Sequence, residues 1–142
     1  MRAYVNRGKR MKNDKTDNHE QIFWEEIDRL FPDMIKAIAS LSKKSYLSIT
    51  NLRTGITWWS ERAMDYFGMK ENYTIRGMEK ANRKIHPDDV ATFKRGFKER
   101  VDGKNLDTAW EYRIQDGDSY NRFNAMARVL YDEQKQPFII II

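Results

Sequence analysis

The stretch ITWWSERAMDYFG, residues 56–68, changes character in its middle. Ile56 to Trp59 is β-branched and aromatic, the composition of a strand. Ser60 then fits a helix N-cap, Glu61 the first turn, and Gly68 the left-handed stop of a helix over Glu61–Phe67. In a strand, Trp58 and Trp59 point to opposite faces. One enters a core and the other needs a cover of its own. An uncovered indole leaves roughly 150–250 Å² of mostly apolar surface in water, a few kcal/mol at about 25 cal/mol per Å². The sheet that carries this pair is therefore expected to be shielded on both sides, with alternation compatible with either assignment of the two rings.

Upstream, YLSITNLRTGITWWS reads as a hairpin, with strands over Tyr46–Asn51 and Ile56–Trp59 and a turn at Arg53-Thr54-Gly55. Before it, Ile27, Leu30, Phe31, Met34, Ile38 and Leu41 recur at three- and four-residue steps, the spacing of one helical face. Pro32 divides this stripe into two short helices, about 20–31 and 32–42, with Pro32 and Asp33 opening the second. Downstream, residues 69–85 are expected to form short helical turns with Met69, Met78 and Ile85 facing inward. IHPDDVATFKRGFKERVDG is a helix signal: His86 caps it, Pro87 sits at its first position, and Asp88 and Asp89 suit its positive end. Val90, Phe93, Phe97 and Val101 give the inward spacing and Gly103 the stop.

Three strand signals complete the chain. Trp110, Tyr112 and Ile114 alternate with Glu111 and Arg113, and Asp116-Gly117 turns the chain. Phe123, Ala125, Ala127, Val129 and Tyr131 alternate with Arg122, Asn124 and Arg128. After DEQKQ, the unbroken run PFIIII suits a strand covered on both faces.

A length of 142 residues suits one domain with one core, and 13% aromatic content argues for a packed one. The net charge of +5 is not a property of that domain. Residues 1–16 hold Arg2, Arg7, Lys9, Arg10, Lys12 and Lys15 against Asp14, which accounts for all of it. A nucleic-acid-binding face is therefore not expected, and residues 1–18 read as a disordered basic leader. With no cysteine there is no disulfide, thiolate metal site or cysteine nucleophile. No apolar run reaches the roughly 18–20 residues of a membrane span, and no secretory signal is legible. Cytoplasmic residence is the expectation.

The ordered set of signals resembles a PAS domain of the bacterial sensory type. HPDDVATFKRGFKERVDG, WEYRIQDGDSYNRF and ARVLYDEQKQPFII resemble the third helix and last three strands of that family, and ITWWSERAMDYFGM its second strand and first helix. DGDSYNRF is one residue longer than the usual turn, a length that leaves Phe123, Ala125 and Ala127 inward if the extra residue sits at the turn. The resemblance covers roughly residues 45–142. It implies an α+β fold: a five-stranded antiparallel sheet of order 2-1-5-4-3, helices on one face around a small cavity, and the final strand central. The other face is implied to be covered by a preceding helix or a second subunit. The expected organisation is a leader over 1–18, an N-terminal helical extension over 19–43, and the PAS domain over 44–142.

The resemblance further implies a sensory or signal-relay role in a multidomain bacterial signalling protein, with a diguanylate cyclase of the GGDEF type or a histidine kinase as output. Candidate cavity-lining residues for a small-molecule ligand are Met64, Phe67, Met78, Trp110, Tyr112 and Phe123; a filled core is the alternative. Candidate homodimer contacts are Ile27, Leu30, Phe31, Met34 and Ile38. The cofactor is open: the chain has no cysteine for a flavin adduct and no histidine between Pro87 and Asp102 for a haem. His86 lacks companion ligands at metal spacing and reads as a cap, and His19 as solvent-facing. No glycine-rich phosphate loop or nucleophile–base motif is present, so catalysis is not expected. A ligand-free dimerisation module is the alternative reading, and a small α+β cone enzyme the less favoured one.

Overall fold

Ser60 ends one element and begins the next. In the computed structural model, which describes residues 14–41 and 44–142, its side chain accepts a bond from the Ala63 N–H at 3.2 Å. The strand β2 (Ile56–Trp59) stops before it and the helix α4 (Glu61–Phe67) starts after it. Gly68 closes α4 with φ 68°, the left-handed conformation in which glycine carries no steric penalty.

The chain before the sheet is helical. α1 (Asp14–Glu25), α2 (Ile27–Leu30) and α3 (Met34–Leu41) follow one another, with Asp33 at φ 65° in the turn after Pro32. Helix thus begins at Asp14, earlier than the expected leader boundary, and Pro32 and Asp33 form the link rather than the first turn of α3. Residues 1–13 of that leader, and residues 42 and 43, lie outside the described residues.

β1 (Ser48–Asn51) pairs with β2, and on its other side with β7 (Pro137–Ile141). β3 (Tyr73–Ile75) extends the sheet beyond β2, and β6 (Arg128–Tyr131) lies beyond β7. All four pairings are antiparallel, and the order is β3-β2-β1-β7-β6. The terminal isoleucines are therefore central, as their unbroken apolar run requires. α5 (Gly77–Asn82), a 3₁₀ turn over Pro87–Asp89 and α6 (Val90–Val101) follow β3. β4 (Trp110–Asp116) and β5 (Ser119–Ala125) then form a hairpin of their own.

The expected sequence of strands is present, with two differences. One is β3, which falls in the segment expected to be only helical turns. The other is a break in the expected fourth strand, whose two halves are β5 and β6. Arg128 Nη1 donates to the carbonyl oxygens of Ala127, at 2.9 Å, and Leu106, at 2.6 Å. These bonds sit at the break, beside the last β6–β7 pair, Arg128 opposite Ile141. The hairpin turn keeps Tyr112 opposite Phe123, and Phe123 and Ala125 face inward as expected.

The two faces of the sheet carry separate cores. On the outer face, Phe23, Trp24, Ile27, Ile35 and Ala39 of the leading helices pack on Ile49, Ile56, Phe138 and Ile139. A register shift between β6 and β7 lets Phe138 join Ile139 on this side rather than oppose it. On the inner face, Phe93, Trp110, Tyr112, Ile114, Val129 and Ile140 form the larger cluster. Trp58 is half-buried against the outer core, whereas Trp59, 2% exposed, belongs to the inner side with Ala63 and Ala81. Each tryptophan has its own cover, and the outer cover is the chain's own helical extension.

Candidate functional site

A cavity of about 350 Å³ lies on the inner face, between the main sheet and the β4–β5 hairpin. Its back wall is Ser48 of β1 and Trp59 of β2, both directed inward by the two-residue period. Ala63 and Phe67 of α4 and Met78 and Ala81 of α5 form one side. The two alanines leave room that a larger side chain would fill. Phe93 of α6, with Tyr112 and Ile114 of β4, closes the deep end. The mouth is marked by lining residues that also reach solvent: Tyr46, Asn124 and Met126. It opens where β5 departs from β7.

Three rings brace this mouth. The Tyr46, Tyr66 and Phe123 centroids form a triangle with sides of 5.5, 5.4 and 5.3 Å. Arg62 sits over the outer face of Tyr46 at 4.5 Å. The Tyr66 hydroxyl donates to the Ile114 carbonyl at 3.3 Å and accepts from Asn121 at the same distance. The segment leading into β1, helix α4 and the hairpin thus meet at one aromatic contact.

Four of the six expected lining residues, Phe67, Met78, Tyr112 and Phe123, reach the cavity. Met64 packs instead against the Trp59–Ala63–Ala81 cluster. Trp110 lies beside the cavity, under Arg100, whose guanidinium stacks 3.8 Å from the ring. The backbone there is glycine by necessity: a Cβ on Gly96 would stand 2.9 Å from Trp110 Nε1. The sequence reading missed Tyr46, Ser48 and Asn124, because polar residues at strand ends resemble ordinary surface positions. The two-residue period running back from Trp59 through its partner strand is the signal that finds Ser48.

The cavity wall carries no charged side chain among the described residues. Burial pushes the Tyr112 phenol up, with Arg100 opposing weakly, so its hydroxyl stays protonated at ordinary pH. The walls offer ring faces and hydroxyls, without a carboxylate, imidazole or amine to act as acid or base. His86 is the helix cap expected, its Nδ1 accepting from the Asp88 N–H at 3.1 Å. Among the described residues, no group of three or more His, Asp or Glu side chains is placed to hold a metal, and no helix is long and apolar enough to cross a membrane. A second, more open groove of about 430 Å³ runs along β3, between His19 and Lys80.

The expected dimer contacts separate by burial. Ile27 is sealed in the outer core, and Leu30, Phe31 and Ile38 are half-buried against it. Met34, 42% exposed, is joined on the outside of α3 by Leu41, 87% exposed.

Solved structures share this fold. A sensory box histidine kinase/response regulator from Burkholderia thailandensis superposes with a TM-score of 0.53 at 18% identity, over 75% of this chain and 79% of that one. The N-terminal domain of a diguanylate cyclase with PAS/PAC sensor from Marinobacter aquaeolei gives a TM-score of 0.53 at 15% identity, over 67% of this chain and 87% of that one. At such identities the likeness shows the fold. No curated protein matches the chain. The sequence model of the PAS fold matches residues 56–142, more than half of the chain and every element around the cavity from β2 onward, and the chain therefore belongs to the PAS fold family.

Proposed function

We propose that the chain is a sensory or signal-relay domain of a multidomain, cytoplasmic bacterial signalling protein, whose output is a diguanylate cyclase or a histidine kinase. The cavity between sheet and hairpin carries this reading. It is enclosed by residues of two separate sheets, so an occupant touches both, and its occupancy biases how they sit. A ligand shifts such an equilibrium only through a difference in affinity for the two arrangements. The aromatic triangle passes that difference to the segment before β1, and so to the helical extension. The role is binding rather than catalysis.

Native mass spectrometry of the purified chain, paired with tryptophan fluorescence during addition of a small-molecule cell extract, tests the reading. The expected result is added mass, or a fluorescence change, that is lost in Ala63→Phe, which fills the cavity. A chain without added mass whose fluorescence response is absent, or survives in Ala63→Phe, removes the sensory reading.

A second reading, a ligand-free homodimerisation module, is favoured by one observation. Met34 and Leu41 stand two turns apart on the outer side of α3, both exposed. Met34→Glu combined with Leu41→Glu is expected to convert dimer to monomer while the circular dichroism spectrum stays that of the folded chain. Ile27 is unsuitable for this test, because a charge there enters the chain's own core.

A further inference from the structure

The cavity wall specifies the chemistry of its occupant. Ser48 on β1 and Tyr112 on β4 are 7% and 8% exposed, and both line the cavity. Neither hydroxyl has a hydrogen-bond partner among the described residues. Other buried hydroxyls of the sheet are engaged. Thr50 and Thr57 bond each other at 2.9 Å. Thr74 accepts from the Trp59 indole at 2.7 Å, and Ser60 caps α4. The Ser48 and Tyr112 hydroxyls thus face the cavity from the main sheet and from the hairpin, placed to bond an occupant.

Size, charge and surface narrow the class. A volume of about 350 Å³ is that of about a dozen waters at roughly 30 Å³ each, room for a one- or two-ring molecule. With no charge on the wall, an ionic occupant would lose its hydration without compensation. Tyr46, Trp59, Phe67, Phe93, Tyr112 and Phe123 present ring surface throughout. We propose that the cavity binds an uncharged mono- or bicyclic aromatic molecule with an amide or carbonyl edge, held by Ser48 from the main sheet and Tyr112 from the hairpin. This rests on the sensory reading and names what is sensed by class. Because the two hydroxyls belong to different sheets, an occupant that bonds both ties the hairpin to the sheet.

The test is titration of the ¹⁵N-labelled chain with three probes: quinolin-2-one, a neutral bicyclic lactam; quinoline-2-carboxylate, its charged counterpart; and naphthalene, which has no hydrogen-bonding edge. Quinolin-2-one is expected to shift the Ser48 and Tyr112 amide signals. Its affinity should fall about 3- to 10-fold in each of Ser48→Ala and Tyr112→Phe, the range of one neutral hydrogen bond. Both variants delete a hydroxyl that holds no other part of the fold, and their melting temperatures check this. Quinoline-2-carboxylate and naphthalene should bind at least tenfold more weakly. Equal or tighter binding of the carboxylate, or wild-type affinity in both variants, overturns the assignment while leaving the cavity a ligand site. No shift at cavity residues with any of the three probes overturns the assignment, and the sensory reading then stands or falls on the mass-spectrometry and fluorescence test above.

Discussion

Asp89 holds the start of α6 to β4. Its carboxylate accepts three bonds of 2.9 Å from Arg113: from Nε, Nη2 and the backbone N–H. The sequence suggested only a charge favourable to a helix end; the structure adds a bidentate partner 24 residues away. The Arg113 side chain, then its backbone N–H, hold the carboxyl down to about 2, against an ordinary value of 3.8. A depressed carboxyl contributes stability that is complete above its ordinary value and is lost as pH falls through the folded one. The stability difference between wild type and Asp89→Asn should therefore be constant from pH 7 to about 5 and shrink between about pH 4 and 2. Urea unfolding at stepped pH reads it; a difference unchanged at pH 2 refutes the clamp. Gly96 is a second single-residue case. Alanine there gains up to about 1 kcal/mol of helix propensity. It also drives a methyl into the Trp110 ring, which is held between Phe93 and Arg100. Overpacking of this kind costs about 1–3 kcal/mol, so Gly96→Ala should give a net loss of about 0–2 kcal/mol in denaturant titration, and a gain in stability refutes the contact.

The leading helices form a structural layer at the scale of elements. Phe23 and Ile27 are fully buried against the sheet. Asn51 donates to the Phe23 carbonyl at 3.3 Å, and the Trp24 indole donates to the Tyr73 hydroxyl at 2.9 Å. Arg53 joins Glu26, at the α1–α2 junction, to Asp132, after β6. Phe23→Ala should therefore cost about 3–5 kcal/mol, whereas Met34→Glu, on the exposed side of α3, should stay within about 0.5 kcal/mol of wild type. Equal effects in thermal and urea unfolding would mean that the layer does not belong to this core. What was legible here followed local chemistry. The β2–α4 boundary fell at Ser60 because strand composition, cap and glycine stop agree within thirteen letters. The stripe from Ile27 to Leu41 announced a covered face, though its period could not say whose sheet it covers; Phe23 and Asn51 answer that through contacts 28 residues apart. Tyr73–Ile75 was illegible because three residues carry no measurable alternation, and its strand character comes from pairing with β2. The β5–β6 break was hidden for a different reason: alternation continues through it, and what lies at the break, Arg128 reaching Leu106, is a contact absent from the local pattern.

For the whole molecule, the division between main sheet and hairpin matters most. β1 and β7 are paired on both edges and covered on both faces. β5 has one paired edge, to β4, and its side chains are mostly exposed. β4 is better anchored: Ile85 bridges Ile114, and the Gln115 N–H donates to the Lys84 carbonyl at 2.8 Å. Local opening should therefore start at β5, with the Tyr46–Tyr66–Phe123 triangle as its main restraint. Phe123 takes part in two of the three ring contacts, at 5.3 and 5.4 Å. Each such contact contributes about 0.5–1.5 kcal/mol beyond burial, so Phe123→Ala should lower the cost of opening by about 1–3 kcal/mol. Amide exchange over residues 119–126 should then accelerate about 5- to 150-fold. Exchange in β1 and β7 should change far less, because those strands open only with the whole domain. Acceleration of equal size in all three strands would show that hairpin and sheet open as one unit, and a domain that opens as one unit cannot report an occupant by moving one part against the other.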